Sequence, residues 1–368
     1  MGVSKILLSS AAILVAGTGA RAADALVPEP EPVEYVRICD AYGSGWFYIP
    51  GTETCMKLDG DLRVDWGSRH YHEEQQDETS AHEDRFRARF SVRANSETEY
   101  GTLESRIRLK AEYKDPRTTG EGGSHNDEVS VSEGPSEPGV TVDMATITFA
   151  GFYMGFYDNY WKRAGRDGWY TSLSRFEGPY GDFDALFLEY TYKANGFAAT
   201  IGMEDGTQSG EAGAPDPYAG LTYSGNGLYL AGIAYYDGSA EAGAYKFRGD
   251  YDFGESWSGF QFGGWYNWDN GETDYVKGHQ MGITAQVNLA KDWVLFTGYG
   301  AYDDQYFDGS ECTGSCVNGS YQQTEIGIQW QPVKSLYVIP EYLWNVYDVE
   351  TSKQENYGQF NLRIVRQF

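Results

Sequence analysis

Residues 84–94 read "DRFRARFSVRA". Arg85, Arg87, Arg89 and Arg93 hold odd positions, while Phe86, Ala88, Phe90, Val92 and Ala94 hold even ones. A period of two is the signature of a β-strand with two unlike faces. Here one face is apolar and the other cationic. The cationic face needs an explanation, because the 368-residue chain carries a formal net charge of -26. Something near these arginines has to make four cations on one strand face tolerable.

The same period continues on both sides. "MKLDGDLRVDW" (56–66) sets Lys57, Asp59, Asp61, Arg63 and Asp65 against Met56, Leu58, Leu62, Val64 and Trp66. "TLESRIRLKAEYK" (102–114) sets Glu104, Arg106, Arg108, Lys110, Glu112 and Lys114 against Leu103, Ile107, Leu109 and Tyr113. Further segments of this kind run to "YGQFNLRIVRQF" at the end of the chain. Several are joined by tight-turn signals such as Ala-Asn-Gly and Gly-Asn-Gly. The full set predicts an all-β chain of about 16 strands, in which short turns alternate with longer loops rich in Gly, Asp, Glu and Asn. That alternation with an even strand count is the pattern of a transmembrane antiparallel β-barrel. "WSGFQFGGWYNW" is read as the eleventh strand, reached from the tenth through Gly-Glu-Ser.

The first residues point the same way. "MGVSKILLSSAAILVAGTGARA" has Lys5, an apolar run and a small-x-small site at Ala20-Arg21-Ala22. It predicts a signal peptide over 1–22. No later stretch approaches the roughly 18 apolar residues of a membrane helix. Without Lys5 and Arg21, 26 basic residues face 54 acidic ones. That balance excludes nucleic acid as a partner, which needs a basic footprint. Four cysteines suit an oxidising compartment. Neighbour pairing would join Cys39 with Cys55 and Cys312 with Cys316, although four cysteines allow three connectivities. Phe368 ends the last strand on the same face as Phe360, Leu362 and Ile364, as an aromatic signal for outer-membrane assembly would.

A closed barrel accounts for both strand faces. Hydrocarbon demands that every backbone donor find an internal partner. The apolar faces then meet lipid or a neighbouring subunit, and the charged faces meet a water-filled lumen. Sixteen strands enclose an aqueous channel rather than a packed interior.

"EYVRICDAYGSGWFYIPGTETC" (34–55), with "SETEYGTL", "AGLTYSG", "YKFRGD" and the closing "RQF", resembles the alphaproteobacterial outer-membrane porin family. The resemblance implies a multi-pass barrel in the cell outer membrane and a homotrimer that passes small hydrophilic solutes. It also implies a third long loop folded into the lumen. It agrees with a Cys39–Cys55 pair, which would close an N-terminal periplasmic or lumenal segment over 23–55 ahead of a barrel over 56–368. The expected partners are the lipid bilayer, lipopolysaccharide and the outer-membrane assembly machinery, with no cofactor.

A channel works by a bore and a field set at its narrowest point. The candidate basic wall is Arg85, Arg87, Arg89, Arg93, Arg106, Arg108 and Lys110. With the second turn centred between Thr98 and Glu99, Arg89 faces Arg108, Arg87 faces Lys110, Arg85 faces Glu112 and Arg93 faces Glu104. A register shifted by two leaves the same cationic patch. The candidate acids opposite it, on the third long loop (158–184), are Glu177, Asp182 and Asp184. That loop also carries Lys162, Arg163, Arg166 and Arg175, so its charge is mixed. His70, His72 and His82, in an acidic loop, form a weak metal option against a solvated loop that attracts divalent cations. No catalytic site is assigned. Alternatives are a channel preferring a sugar or a cation, and a surface adhesin or structural barrel. Acidic loops favour cations at the mouth and the arginine wall favours anions inside; the balance leans to weak cation selectivity.

Overall fold

The computed structural model describes residues 37–71, 80–119, 139–166, 183–205, 215–270, 273, 275–276, 278–306, 318–349 and 356–368. A short strand β1 (Trp46–Tyr48) precedes sixteen longer ones. These are β2 (Cys55–Tyr71), β3 (Ser80–Thr98), β4 (Gly101–Thr119), β5 (Gly139–Phe149), β6 (Phe152–Asp158), β7 (Asp184–Ala194), β8 (Phe197–Glu204) and β9 (Asp216–Gly225). They continue with β10 (Leu228–Asp237), β11 (Ala242–Asp252), β12 (Gln261–Asp269), β13 (His279–Ala290), β14 (Trp293–Tyr306), β15 (Asn318–Val333), β16 (Leu336–Val349) and β17 (Tyr357–Gln367). One short helix, α1 (Tyr160–Gly165), follows β6. Every long strand pairs antiparallel with its sequence neighbours, and β17 pairs back onto β2 from Tyr357↔Tyr71 to Gln367↔Asp61. The ring is closed, so its backbone presents no free edge. All sixteen strands read from the sequence are present.

Local chemistry sets the turns. Asn195-Gly196 and Asn226-Gly227 both take positive φ, as a mirror-image two-residue turn requires. Two details depart from the sequence reading. Residues Glu255–Trp257 form a 3-10 turn, so β12 starts at Gln261 rather than at Trp257. The resulting connection, 253–260, is longer than the one before it, 238–241, which belongs to the set expected to be long (238–243). The ends still alternate; loop length alone does not mark them.

The two faces are inverted relative to a soluble protein. Outward positions are apolar and open: Leu62, Phe86, Phe90 and Ile107 on one side, Leu221, Phe247 and Ile283 on the other. Inward positions are charged yet buried, including Asp61, Asp65, Glu189, Glu204, Lys246, Arg248, Glu325 and Glu341. Hydrocarbon outside and water inside call for this distribution.

The seam lies at the short-turn end. Phe368 N–H donates to Gly60 O at 3.0 Å, and Gly60 N–H donates to Phe368 O at 3.1 Å. A Cβ at Gly60 would stand 2.4 Å from Arg89 O and 2.7 Å from the Phe368 ring, so only glycine fits beneath that ring. The expected Cys39–Cys55 disulfide is formed, and Trp46 buries against it. β1 pairs with the start of β2, and the Tyr42 hydroxyl donates to Glu97 beside the β3–β4 turn. The segment from Arg37 onward is thereby fastened to the short-turn end.

Candidate pore lining and constriction

The inward face of β2–β5 and β17 holds the predicted arginines, and each is met by an acid on a nearby strand. Asp59 lies between Arg93 (3.1 Å) and Arg106 (3.7 Å). Asp61 lies between Arg89 (2.6 Å) and Arg87 (3.7 Å). Asp65 lies between Arg363 (2.6 Å) and Arg63 (2.9 Å). Asp143 lies between Arg108 and Lys110, the latter at 3.1 Å. Arg85 reaches Glu112 at 3.7 Å. Four carboxylates therefore each bridge two cations. The acids that make the arginines tolerable stand beside them in the wall, not only on a loop across the lumen.

The observed register shows why they are needed. The β3–β4 turn pairs Thr98 with Gly101, one residue later than expected. A one-residue shift of the turn centre moves the pairing by two. Arg89 faces Lys110, Arg93 faces Arg106 and Arg87 faces Glu112, which corrects the expected pairs. With Arg85 opposite Lys114, three like-charged pairs stand directly opposed in this register. At ~5 Å and an effective dielectric of ~20, two cations repel by about 3 kcal/mol. Nearby carboxylates offset that repulsion: Asp59 is shared across Arg93 and Arg106, and in the Arg89–Lys110 pair each cation has its own acid, Asp61 and Asp143.

Asp143 escaped the sequence reading for a structural reason. The β4–β5 register slips between Arg108 and Leu109: Arg108 pairs with Met144 and Leu109 with Val142. Asp143 is the extra residue of this β-bulge, and a bulge re-aims a side chain. Strict alternation cannot place it. The clue available was a lone acid among apolar residues in "VDMATITF".

A different kind of wall stands opposite. In the closed ring β11 lies halfway round from β3. Its inward face carries Lys246, Arg248 and Asp250, and α1 packs there as the first turn of the third long connection. Asn159 caps α1, its Oδ1 accepting from Lys162 N–H at 3.0 Å. Trp161 is wholly buried; its backbone N–H donates to the Tyr235 hydroxyl at 3.1 Å. Lys246 Nζ donates to the Trp161 carbonyl at 3.2 Å and lies 4.5 Å above the indole. Arg163 forms a fork with Glu189 at 2.8 and 2.9 Å, and Tyr218 donates to the same carboxylate at 2.7 Å. Burial alone would lower the Arg163 pKa; the Glu189 hydrogen bonds and charge outweigh it and push it up. Tyr160 stacks on Tyr218, 5.1 Å between ring centres, over Gly220, where a Cβ would collide with its hydroxyl at 2.3 Å. From the β12–β13 connection, buried Tyr275 donates to Asp216 at 2.8 Å and lies 3.1 Å from Glu204. It closes the aromatic cluster over α1.

The other predicted residues fall as follows. Asp184 opens β7 opposite Asp158 and is within electrostatic reach of Asp143, Lys110 and Lys162. Glu177, Asp182, His72, Cys312 and Cys316 lie outside the described residues. His70 and His82 belong to β2 and β3. In the aromatic stretch before β13, Trp265 points inward but is buried against Phe296 and Ile339, with its ring over Gly282. Its ring therefore presents no open face to the lumen. The sequence reading missed α1, although Asn159 before "YWKRAG" is a helix-start signal.

Comparison with known proteins agrees with this architecture. Porin Omp2a of Brucella ovis is 36% identical over 285 residues, spanning 70% of this chain and 77% of that protein. Porin Omp2b of Brucella canis is 35% identical over 288 residues, with 70% and 72% covered. The outer membrane channel DcaP of Acinetobacter baumannii superimposes with a TM-score of 0.56 at 14% identity, covering 87% of this chain and 99% of that one. The trimer form of OmpT from Vibrio cholerae gives 0.56 at 12% identity, covering 86% and 100%. At such identities these two speak for the fold alone. The model of the Porin subfamily matches residues 24–363, and the chain belongs to that family: it is an outer-membrane β-barrel channel.

Proposed function

We propose that this barrel is a general diffusion channel for ions and small hydrophilic solutes, working as a homotrimer. Its selectivity is set where Arg85, Arg87, Arg89, Arg93, Arg106, Arg108 and Lys110 line the path opposite the third loop, with Asp184 and the loop acids Glu177 and Asp182 contributing. One observation carries this reading: a row of bridging carboxylates holds the arginines in fixed places on the inward face. Fixed charges in a water-filled bore act as a standing field, which sorts ions without binding them tightly. In the ion pairs of this wall, nine cations meet five carboxylates, so the wall itself is net positive. The chain as a whole is strongly negative. Long-range charge therefore draws cations to the mouth and the wall passes anions, with weak cation preference as the expected balance. The trimer is supported by the fold shared with the trimer form of OmpT and by the apolar outward faces.

Planar-bilayer recording tests the proposal. Stepwise ohmic openings in threes are expected, with a reversal potential on the cation side in a salt gradient. Arg87→Glu with Arg89→Glu should move that potential further toward cations. An unchanged potential would remove these residues from the narrow part of the path, and folded protein without openings would overturn the channel reading.

A further inference from the structure

We propose that Gly232, Gly249 and Gly264 form a seat on the outward face of the barrel for an acyl chain of a periplasmic-leaflet phospholipid. The three glycines lie on β10, β11 and β12 at outward positions. Gly249 pairs directly with Gly264, and Gly232 lies opposite Phe247. With their side chains missing, the surface sinks into a furrow of about 920 Å³ walled by Leu221, Leu230, Phe247, Tyr266, Met281 and Ile283.

Backbone geometry does not ask for glycine at Gly232 or Gly249. None of the three has the positive φ that favours it. A Cβ on Gly249 would meet Leu230 at 3.5 Å and one on Gly232 would meet Phe247 at 3.7 Å, both ordinary contacts, whereas one on Gly264 would press on the Gly282 carbonyl at 3.0 Å, so only Gly232 and Gly249 are without a local reason to be glycine. The pairing of β10 through β13 runs without a bulge. Inward Gly282 and Gly327 are different, since the rings of Trp265 and Phe296 lie where a Cβ would be. A glycine inside a strand costs about 0.5–1 kcal/mol relative to alanine. Where no bulge or bend requires it, strand glycine marks close approach by something else.

The lining says what approaches. The furrow's size falls within the ~300–1,000 Å³ of small-molecule pockets. It lacks the few convergent polar groups by which such pockets orient a ligand, so its occupant is hydrocarbon. The furrow is continuous with the apolar face that the bilayer covers. Phe197, the first residue of β8, lines it at the short-turn end, the end that outer-membrane barrels turn to the periplasm. A flexible methylene chain can follow the furrow floor and restore the dispersion contacts that an empty gap forfeits.

The test uses the full chain folded into phosphatidylethanolamine–phosphatidylglycerol vesicles containing a phospholipid with a diazirine in its acyl chain. After illumination, crosslinks should concentrate in residues 221–283. Gly232→Leu with Gly249→Leu should cut that labelling about tenfold, equivalent to ~1.4 kcal/mol. Labelling around Leu58 and Ile107 should hold. Even labelling round the barrel, or labelling unchanged by the leucines, would overturn the proposal. So would an unlabelled furrow in which Gly249→Cys crosslinks two copies, because the seat would then belong to a subunit interface. Should the leucine variant fail to fold, Gly249→Ala gives the same reading: reduced labelling there supports the seat, and unchanged labelling overturns it.

Discussion

The β2–β5 and β17 wall and the β7–β12 wall face each other across one lumen and are built by opposite means. The first is a lattice of charge in which each bridging acid serves two cations. Its guanidinium groups on β3 stay partly open, the Arg89 and Arg93 side chains being 25% and 33% exposed, while Arg63 and Arg363 are buried. The second is a lattice of rings, with Tyr160, Trp161, Tyr218, Tyr235 and Tyr275 packed on one another and on α1. The difference teaches a division of labour. Charges left at the lumen surface can act on passing ions, whereas rings sealed against a loop can only fix the bore's shape. A mutation should therefore change field on one side and shape on the other, and crossing these effects breaks the comparison.

The largest effect is expected deep in the ionic wall. Asp65 is fully buried between Arg63 and Arg363. Asp65→Ala leaves two guanidinium groups without their shared anion, and breaking a buried pair costs about 3–5 kcal/mol. The urea midpoint of the detergent-folded barrel should fall sharply. An unchanged midpoint would mean that water already solvates these arginines and that the lattice is not structural.

Next comes Trp161→Ala on the ring side. Truncating a buried indole costs about 3–5 kcal/mol, but here the loss should be local, because α1 is a lodger on the barrel rather than part of its ladder. Hydrogen exchange should quicken across Asn159–Arg166 while the urea midpoint barely moves. A global fall would show the ring cluster to be part of the barrel's own stability.

Much of this was legible in the sequence, and what was not has physical causes. Period-two alternation gave all sixteen strands, because lipid on one side and water on the other leave little freedom in which residues face where. Register was harder: in "NSETEYGT" no Asn-Gly or Asp-Gly marks the turn, so its centre slid by one and every cross-strand pair by two. Asp59, Asp61 and Asp65 were visible on the right face, but only the folded ring brings β17 beside β2 and lets Arg363 reach Asp65. Asp143 was hidden by its bulge, and α1 by a loop reading that counted charges and passed over Asn159.

A smaller effect tests the ionic wall as a field. Asp61 neutralises part of Arg87 and Arg89. Asp61→Asn keeps the size and removes one negative charge, so the reversal potential should move toward anions, opposite to the Arg87→Glu/Arg89→Glu variant. Trp161→Ala should leave that potential in place and change conductance noise instead. If both variants move the potential alike, the two walls do not divide field from shape.

The smallest effect separates one proton from its surroundings. Burial, then the Glu204 and Asp216 carboxylates, hold the Tyr275 phenol above its ordinary pKa. A raised folded-state pKa contributes stability that is complete below the unfolded value of ~10 and is lost as pH rises through and beyond it. At neutral pH the clamp should therefore be insensitive to pH, and it should loosen only in alkali. Tyr275→Phe removes the donor to Asp216, and the hydroxyl beside Glu204, while keeping the ring. One net hydrogen bond is worth about 1 kcal/mol, so exchange at Asn159–Arg166 should quicken about fivefold at neutral pH. The alkaline loosening should shrink, because Tyr275 would no longer contribute to it. If the variant keeps the full alkaline response, the titrating group lies elsewhere in the cluster, with Tyr160 as the next candidate, since burial pushes its phenol up as well.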